Sequence, residues 1–427
     1  MNAPTEKPAA TRLLSLDALR GFDMFWIVGA GWIVAALHRM GNNSVTSFFR
    51  TQMSHVRWDG LHFLDLIFPL FVFIMGVSTV LSLTKALAQG GRAQAVRRIA
   101  VRSLLLYLLG VYCYGGLSNE WPNIRLLGVL NRIAICYFFC GILFCYLRPR
   151  ALLAVAVSLL VGYWAMMTFV PIRDYKFIPP EQMLESTYKK IRLQGGNPDK
   201  LADVDRRRLR NEAIQQASTE YFTTTDFVTG KFEEGRNLAN HIDFLYLPGR
   251  NIRGTWDPEG LLSTIPAIGT GLLGVFAGLL LQLRDWNDRR KVYYLAGFGL
   301  GSLVLGWLWS FQFPLIKSVW TSSFVLVAGG YSALMLALFY WLVEVKNYRA
   351  WCQPFVWIGS NAITIYLVSE LVDFRQIAMH FAGGDVSNWL NKHLTAGAGD
   401  MLVSLIAVGL VFTFMRFLYQ RKIFLRL

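Results

Sequence analysis

Residues 60–86 read GLHFLDLIFPLFVFIMGVSTVLSLTKA, and the nineteen residues between Asp65 and Lys85 carry no charge. A run of that length crosses the hydrocarbon core of a bilayer as a helix. Its apolar residues are continuous and do not alternate, so it is not a barrel strand. In lipid only a helix satisfies the backbone of such a segment. Pro69 removes an intrahelical hydrogen bond and can kink the helix.

Nine similar runs flank this one, giving ten in all, at about 15–38, 60–86, 99–117, 127–147, 150–171, 260–283, 292–311, 318–343, 352–372 and 400–420. The fold class is therefore an all-α polytopic membrane protein with about ten transmembrane helices. Composition agrees. Of 427 residues, 54% are hydrophobic and 16% charged, where soluble domains are about a quarter charged. Phe (30), Trp (14) and Tyr (17) are abundant, as rings are at membrane–water interfaces. Asp17, Arg20 and Asp23 interrupt the first run, which a cleavable signal would not tolerate, so it reads as a span.

The net charge of +15 has a topological cause. Eighteen Lys and Arg fall in the tails and short connections on one side, against seven in the short connections opposite. Basic residues mark the cytoplasmic side, so both termini are expected there. Dispersed charge of this kind disfavours nucleic-acid binding. Residues 172–259 then form one long extracytoplasmic loop, expected to fold as a cap. Its 200–220 part, KLADVDRRRLRNEAIQQASTE, is helix-permissive. The expected domains are a cytoplasmic tail (1–14), a first bundle of five spans (15–171), the cap (172–259) and a second bundle of five spans (260–427). No internal repeat is apparent, which gives an inverted-repeat transporter no support. The five Cys fall in or beside spans without CxxC spacing, so neither disulfides nor a metal site is expected.

Ionisable residues at membrane depth are costly and are functional candidates. Asp17 and Arg20, three apart, share a helix face and can pair. His55, Arg57, Trp58, Asp59 and His62 gather at the outer mouth of the second span, and Asp65 enters it. His55 is the best general base, since histidine alone titrates near neutrality. Arg132, beside Asn131 at the start of the fourth span, either snorkels or holds an anion. Arg102 anchors its span or meets a phosphate. Asp257 and Glu259 lead into the sixth span, where Pro266 and several Gly predict a broken or closely packed helix. Asn361 in the ninth span bonds helix to helix or contacts a ligand. Soluble-enzyme motifs (GxGxxG, Walker A, HExxH, GxSxG) are absent.

Several blocks carry a resemblance: SLDALRG (15–21), HVRWDGLHFLDLIFPLFVFIMGVS (55–78), GVLNRIAICYFF (128–139), DPEGLLSTIPAI (257–268), GSNAITIYL (359–367) and RKIF (421–424). Together they resemble the membrane domain of the heparan-α-glucosaminide N-acetyltransferase family and its bacterial relatives, over roughly residues 12–427. SLDALRG is also similar to the wider superfamily of transmembrane acyltransferases. The resemblance implies transfer of an acetyl group from cytosolic acetyl-CoA to a glucosamine amine across the membrane. It implies His55 as the catalytic histidine, with Asp65, Asn131, Arg132 and Asn361 at matching positions. Where the animal enzyme has an Asn in the outer half of the first span, this chain reads Ile27-Val28-Gly29-Ala30-Gly31-Trp32.

The expected assignment follows. His55 acts as base or as acetyl acceptor, with Asp65, Asn131 and Asn361 beside it. Arg20, Arg102 and Arg132 meet acetyl-CoA. Trp58, Asp59, His62, Asp243, Asp257 and Glu259 meet the sugar. The resemblance further implies a homodimer in a bacterial inner membrane, with the site opening to the periplasm. An amino-sugar (N-acetylglucosamine) transporter and an O-acetyltransferase of a cell-envelope glycan are the alternatives.

Overall fold

A computed structural model describes residues 13–118, 123–178, 180–193, 197 and 203–425. Of the expected N-terminal tail, residues 1–12 lie outside that range. Among the described residues, eight helices are long and apolar enough to cross a bilayer: Leu14–Met40, Phe63–Cys113, Val129–Tyr146, Pro149–Phe169, Thr264–Leu281, Asp288–Ser310, Ser322–Val345 and Ala398–Gln420. The chain is a mostly helical, polytopic membrane protein of the all-α class.

Two differences from the expected ten runs have local causes. The runs at 60–86 and 99–117 lie in one helix, Phe63–Cys113, of 51 residues. At 1.5 Å per residue it would measure roughly 75 Å if straight, more than twice a bilayer core. It bends at Gly91, whose φ of 70° and ψ of −174° are not helical and suit a residue without a Cβ. The bend therefore falls at Gly91, while Pro69 stays inside the helix. The run at 352–372 is broken into Gln353–Gly359 and Ala362–Leu371, with Asn361 at φ −135° and ψ 37° between them.

The chain packs as two compact units. One comprises His55–Gln282 and Leu300–Tyr331. In it Phe63–Cys113 packs against Val129–Tyr146 and Thr264–Leu281, and Pro149–Phe169 packs on the latter. Small residues let these backbones approach. A Cβ at Gly76 would collide with the Gly271 carbonyl, and one at Gly274 with the Phe73 carbonyl. The sixth expected span is thus closely packed and unbroken through Pro266. Among the described residues, the other unit comprises 13–54, Leu283–Gly299 and 332–425. Here Leu14–Phe25 packs against Gln353–Gly359, with Gly21 facing the Phe355 carbonyl and Gly359 the Asp17 carbonyl. The turn Trp26–Ala30 is a π-helix.

The 172–259 segment belongs to the first of these units and holds helices Pro180–Leu193, Asp203–Thr223 and Leu238–Tyr246. Two short antiparallel ladders tie it down: Ile172 pairs with Val228, and Phe232 with Asn237. The second ladder turns at Gly235, at φ 74°. Its N–H bonds Asn240 Oδ1, and its carbonyl accepts the Phe177 N–H.

Candidate active site

Asp65 occupies the first turn of Phe63–Cys113, where unpaired N–H groups favour a carboxylate. Its Oδ2 accepts the backbone N–H of His62 at 3.1 Å and of Val56 at 3.2 Å. The His55 loop is thereby folded back over the helix start, and Asp65 Oδ1 lies 2.7 Å from His55 Nδ1. The Asp65 side chain is 2% exposed, the His55 side chain 58%. A buried acid thus orients an accessible imidazole. When Nδ1–H donates to Asp65 Oδ1, the lone pair is on Nε2.

A third group joins them, one that the sequence motifs do not reveal. Lys317 Nζ stands 3.3 Å from Asp65 Oδ1 and 3.1 Å from His55 Nδ1. Burial pulls the Lys317 pKa below its ordinary value, and Asp65 opposes that pull. No spacing could have signalled it, because 262 residues separate it from His55. Next to the pair, the Gly60 N–H donates to the Leu315 carbonyl at 3.0 Å, joining the two loops. Trp58 is fixed by its indole N–H on the Phe232 carbonyl, 2.7 Å away, and by edge contact with Trp256. Asp59 is exposed, and His62 is half-buried at the helix start.

Arg132 is fully buried at the start of Val129–Tyr146. Its Nη2 donates to Ser263 Oγ and, at 3.0 Å, to the Pro258 carbonyl. Its guanidinium lies 4.9 Å from the centre of the Trp320 ring, in cation–π range. Its Nε and Nη1 have no partner among the described residues. Neighbouring Asn131 is also buried, and its Nδ2 donates to the Tyr107 carbonyl at 2.9 Å. Buried donors without a partner, as Arg132 Nε and Nη1 are here, are able to meet an anion or a carbonyl oxygen.

The acidic residues near the sixth helix have other partners. Arg125 grips Asp257 with two bonds of 2.9 and 2.7 Å and Glu259 with one of 2.7 Å. Asp257 also accepts the N–H groups of Ile252 and Glu259. Burial disfavours the Arg125 charge, but Asp257 and Glu259 more than offset it and raise its pKa. Asp243 accepts the N–H of Leu261 at 2.8 Å and of Asp257 at 3.3 Å. Burial pushes Asp243 up to about 7 against those bonds. His241, packed against Phe177 and Tyr221, is brought down to about 4 by burial. The carboxylates of Asp243 and Asp257 therefore brace the segment, while Glu259 keeps partial exposure of 15%.

A cavity of about 730 Å³ opens in the 172–259 segment, lined among others by Arg210, Gln215, Phe222, Phe244, Arg250 and Asn251. Arg102, in the same unit, stacks 5.0 Å from the Tyr137 ring centre. Arg20 and Asn361 belong to the other unit. Arg20 Nη1 lies 3.4 Å from Asp17 Oδ1 and 3.3 Å from the Gly359 carbonyl. Asn361 donates to the Ile423 carbonyl at 2.9 Å and accepts the Leu425 N–H. It ties the helix break to the RKIF segment.

Residues 12–182 match the family model described as heparan-alpha-glucosaminide N-acetyltransferase, catalytic. The chain is 27% identical over 409 residues to heparan-alpha-glucosaminide N-acetyltransferase of Mus musculus, covering 86% of this chain and 55% of that protein. It is 26% identical over 456 residues to the protein of that name from Homo sapiens, covering 98% and 61%. The chain thus spans little more than half the length of these curated relatives. These matches make it similar in sequence to the heparan-α-glucosaminide N-acetyltransferases, in line with the resemblance of its sequence blocks.

Proposed function

We propose that this protein is a transmembrane N-acetyltransferase that moves an acetyl group from acetyl-CoA to the amine of a glucosamine-type sugar. The observation that carries this reading is the 2.7 Å contact between buried Asp65 and exposed His55, within the stretch matched by the family's catalytic model. The acceptor reaches the neutral amine by giving one proton to water. Its nitrogen then attacks the thioester carbonyl, the C–N bond forms and the C–S bond breaks. The remaining ammonium proton passes through His55 Nε2 to the departing sulfur. Arg132, with two donors unengaged, is placed to meet the thioester oxygen or an anionic group of the donor, with Asn131 beside it. Arg20 and Arg102 are further candidates for the phosphates of acetyl-CoA.

Trp58, Asp59, His62 and Glu259 are proposed as sugar contacts, with Asp243 and Asp257 as their frame. The cavity in the 172–259 segment, with its carboxamides and phenyl rings, fits a longer carbohydrate acceptor. The uneven basic charge supports cytoplasmic termini and a His55 end on the far side. From the resemblance of its sequence blocks alone, we further propose a homodimer in a bacterial inner membrane.

The test is release of free CoA thiol, in detergent, from acetyl-CoA with glucosamine. His55→Ala should abolish transfer by at least about a thousandfold and still show a CoA-dependent thermal shift. Absence of transfer in the wild type, or full activity in His55→Ala, overturns the reading.

A further inference from the structure

The turn that carries Lys317 is built with unusual rigidity for a loop. Phe313, Ile316 and Val319 are each at most 1% exposed and belong to one hydrophobic cluster with Tyr163 and Leu238. Thr321 Oγ1 donates to the Pro314 carbonyl and accepts the Ile316 N–H, at 2.7 and 3.1 Å. The Ser323 hydroxyl donates to the Phe313 carbonyl, and the Tyr163 hydroxyl to the Val319 carbonyl. Trp320 occupies the left-handed region at φ 53°, a costly conformation for a large side chain. It is held there by its N–H on the Lys317 carbonyl and its indole N–H on Thr270, both at 3.0 Å. Local strain that its surroundings enforce is a mark of functional placement. What the turn places, at one end, is the Lys317 ammonium against His55 and Asp65, and at the other, the Trp320 ring against Arg132.

Charge counting gives the consequence. Asp65 is a single buried negative charge. With Lys317 at 3.3 Å the cluster is already neutral, so a proton added to His55 leaves a net positive charge beside a second cation. Without Lys317, the neutral arrangement would be a carboxylate paired with an imidazolium. The other charged groups nearby are Arg57, Asp59 and His62 of the same loop and helix start, together with Glu259, which acts on Lys317 electrostatically. Resting on the acetyltransferase reading, we propose that Lys317 is a positioning residue for His55. It clamps the Asp65 oxygen that bonds Nδ1 and opposes a second positive charge on the ring, so that His55 enters the reaction neutral with Nε2 as acceptor. After the proton arrives, the same cation favours passing it on to the leaving sulfur.

The experiment compares Lys317→Met, Lys317→Arg and wild type in acetyl transfer to glucosamine from about pH 6 to 9. Removing the cation should move the rising limb of the profile upward by about one pH unit, a roughly tenfold loss near neutrality that is recovered at alkaline pH. Lys317→Arg keeps the charge and should keep the limb within a few tenths of a unit. An unshifted limb in Lys317→Met, or an equal loss at every pH, overturns the proposal. A readout independent of activity is the ¹⁵N spectrum of histidine-labelled protein, with His55→Gln identifying the signal. Lys317→Met should increase the doubly protonated ring near neutral pH, and an unchanged signal counts against the proposal. If the wild type transfers no acetyl group, the functional reading fails, and the spectrum still decides whether Lys317 governs His55.

Discussion

Asp65 gives one carboxylate oxygen to His55 Nδ1 at 2.7 Å and the other to the backbone N–H groups of Val56 and His62. One side chain therefore orients the proposed base and folds the loop that carries it. Asp65→Asn presents a single acceptor oxygen and cannot serve both. We expect acetyl transfer to fall by a factor on the order of 10³, from loss of ring orientation. Stability should fall by only about 1 kcal/mol, the cost of a weakened helix start. Rates and thermal unfolding on the same preparation separate the two effects. A large stability loss with normal rate in the folded fraction would assign Asp65 to structure alone.

Arg125 is 7% exposed and satisfies two carboxylates. Arg125→Met leaves Asp257 and Glu259 without their cation, which should destabilise by about 3–5 kcal/mol. Adding Asp257→Leu removes one stranded charge and should recover part of that loss. Denaturant unfolding of the single and double variants measures it. If Arg125→Met unfolds like the wild type, the clamp contributes nothing.

Gly76 faces the Gly271 carbonyl too closely to admit a Cβ, whereas Gly162 has open space around it in Pro149–Phe169. Gly76→Ala should cost about 1–3 kcal/mol or more through forced separation of two helices. Gly162→Ala should be neutral or stabilising by up to about 1 kcal/mol, through helix propensity. The pair of melting temperatures distinguishes tight helix contact from a general aversion to substitution.

His241 and Asp243 oppose each other as pH changes. The His241 pKa is lowered to about 4, so its share of stability is present above the unfolded value of about 6.5 and is lost on acidification through 4. Asp243 is raised to about 7, so its share is present below about 3.9 and is lost as pH rises through 7. Between about pH 4 and 7 the two slopes offset in the wild type. His241→Phe should therefore make the protein more stable at acid than at neutral pH, and Asp243→Asn the reverse. Melting curves across that window read both slopes, and parallel curves for all three proteins would refute the opposition.

The membrane-spanning runs were legible because apolar length is a property of contiguous residues. The bend at Gly91 was less so, since a lone Gly in an apolar helix has many roles and only its backbone angles reveal this one. His55 stood out by its chemistry, and Asp65 by its depth. Lys317 looked like one more basic residue in a short connection, because its meaning depends on a contact across the fold. The acids of the DPEG segment invite a substrate role by composition. Whether their oxygens are already occupied is a matter of hydrogen bonds, as Arg125 shows for Asp257. Arg20 pairs with Asp17 as their spacing suggests, but the Gly359 carbonyl that it also meets, and the Ile423 carbonyl and Leu425 N–H that Asn361 bonds, are backbone groups that no side-chain pattern encodes.

The contact between His55 and Lys317, 262 residues apart, also sets a schedule. At about 5–20 residues per second, the ribosome makes the imidazole on the order of 10–50 s before the ammonium group that meets it. During that interval the loop, its acid and the first several helices exist without the turn at 313–323. A nascent chain therefore carries His55 and Asp65 as a two-member pair long before the third member is synthesised. The three-member cluster is complete only once the later part of the chain has been made.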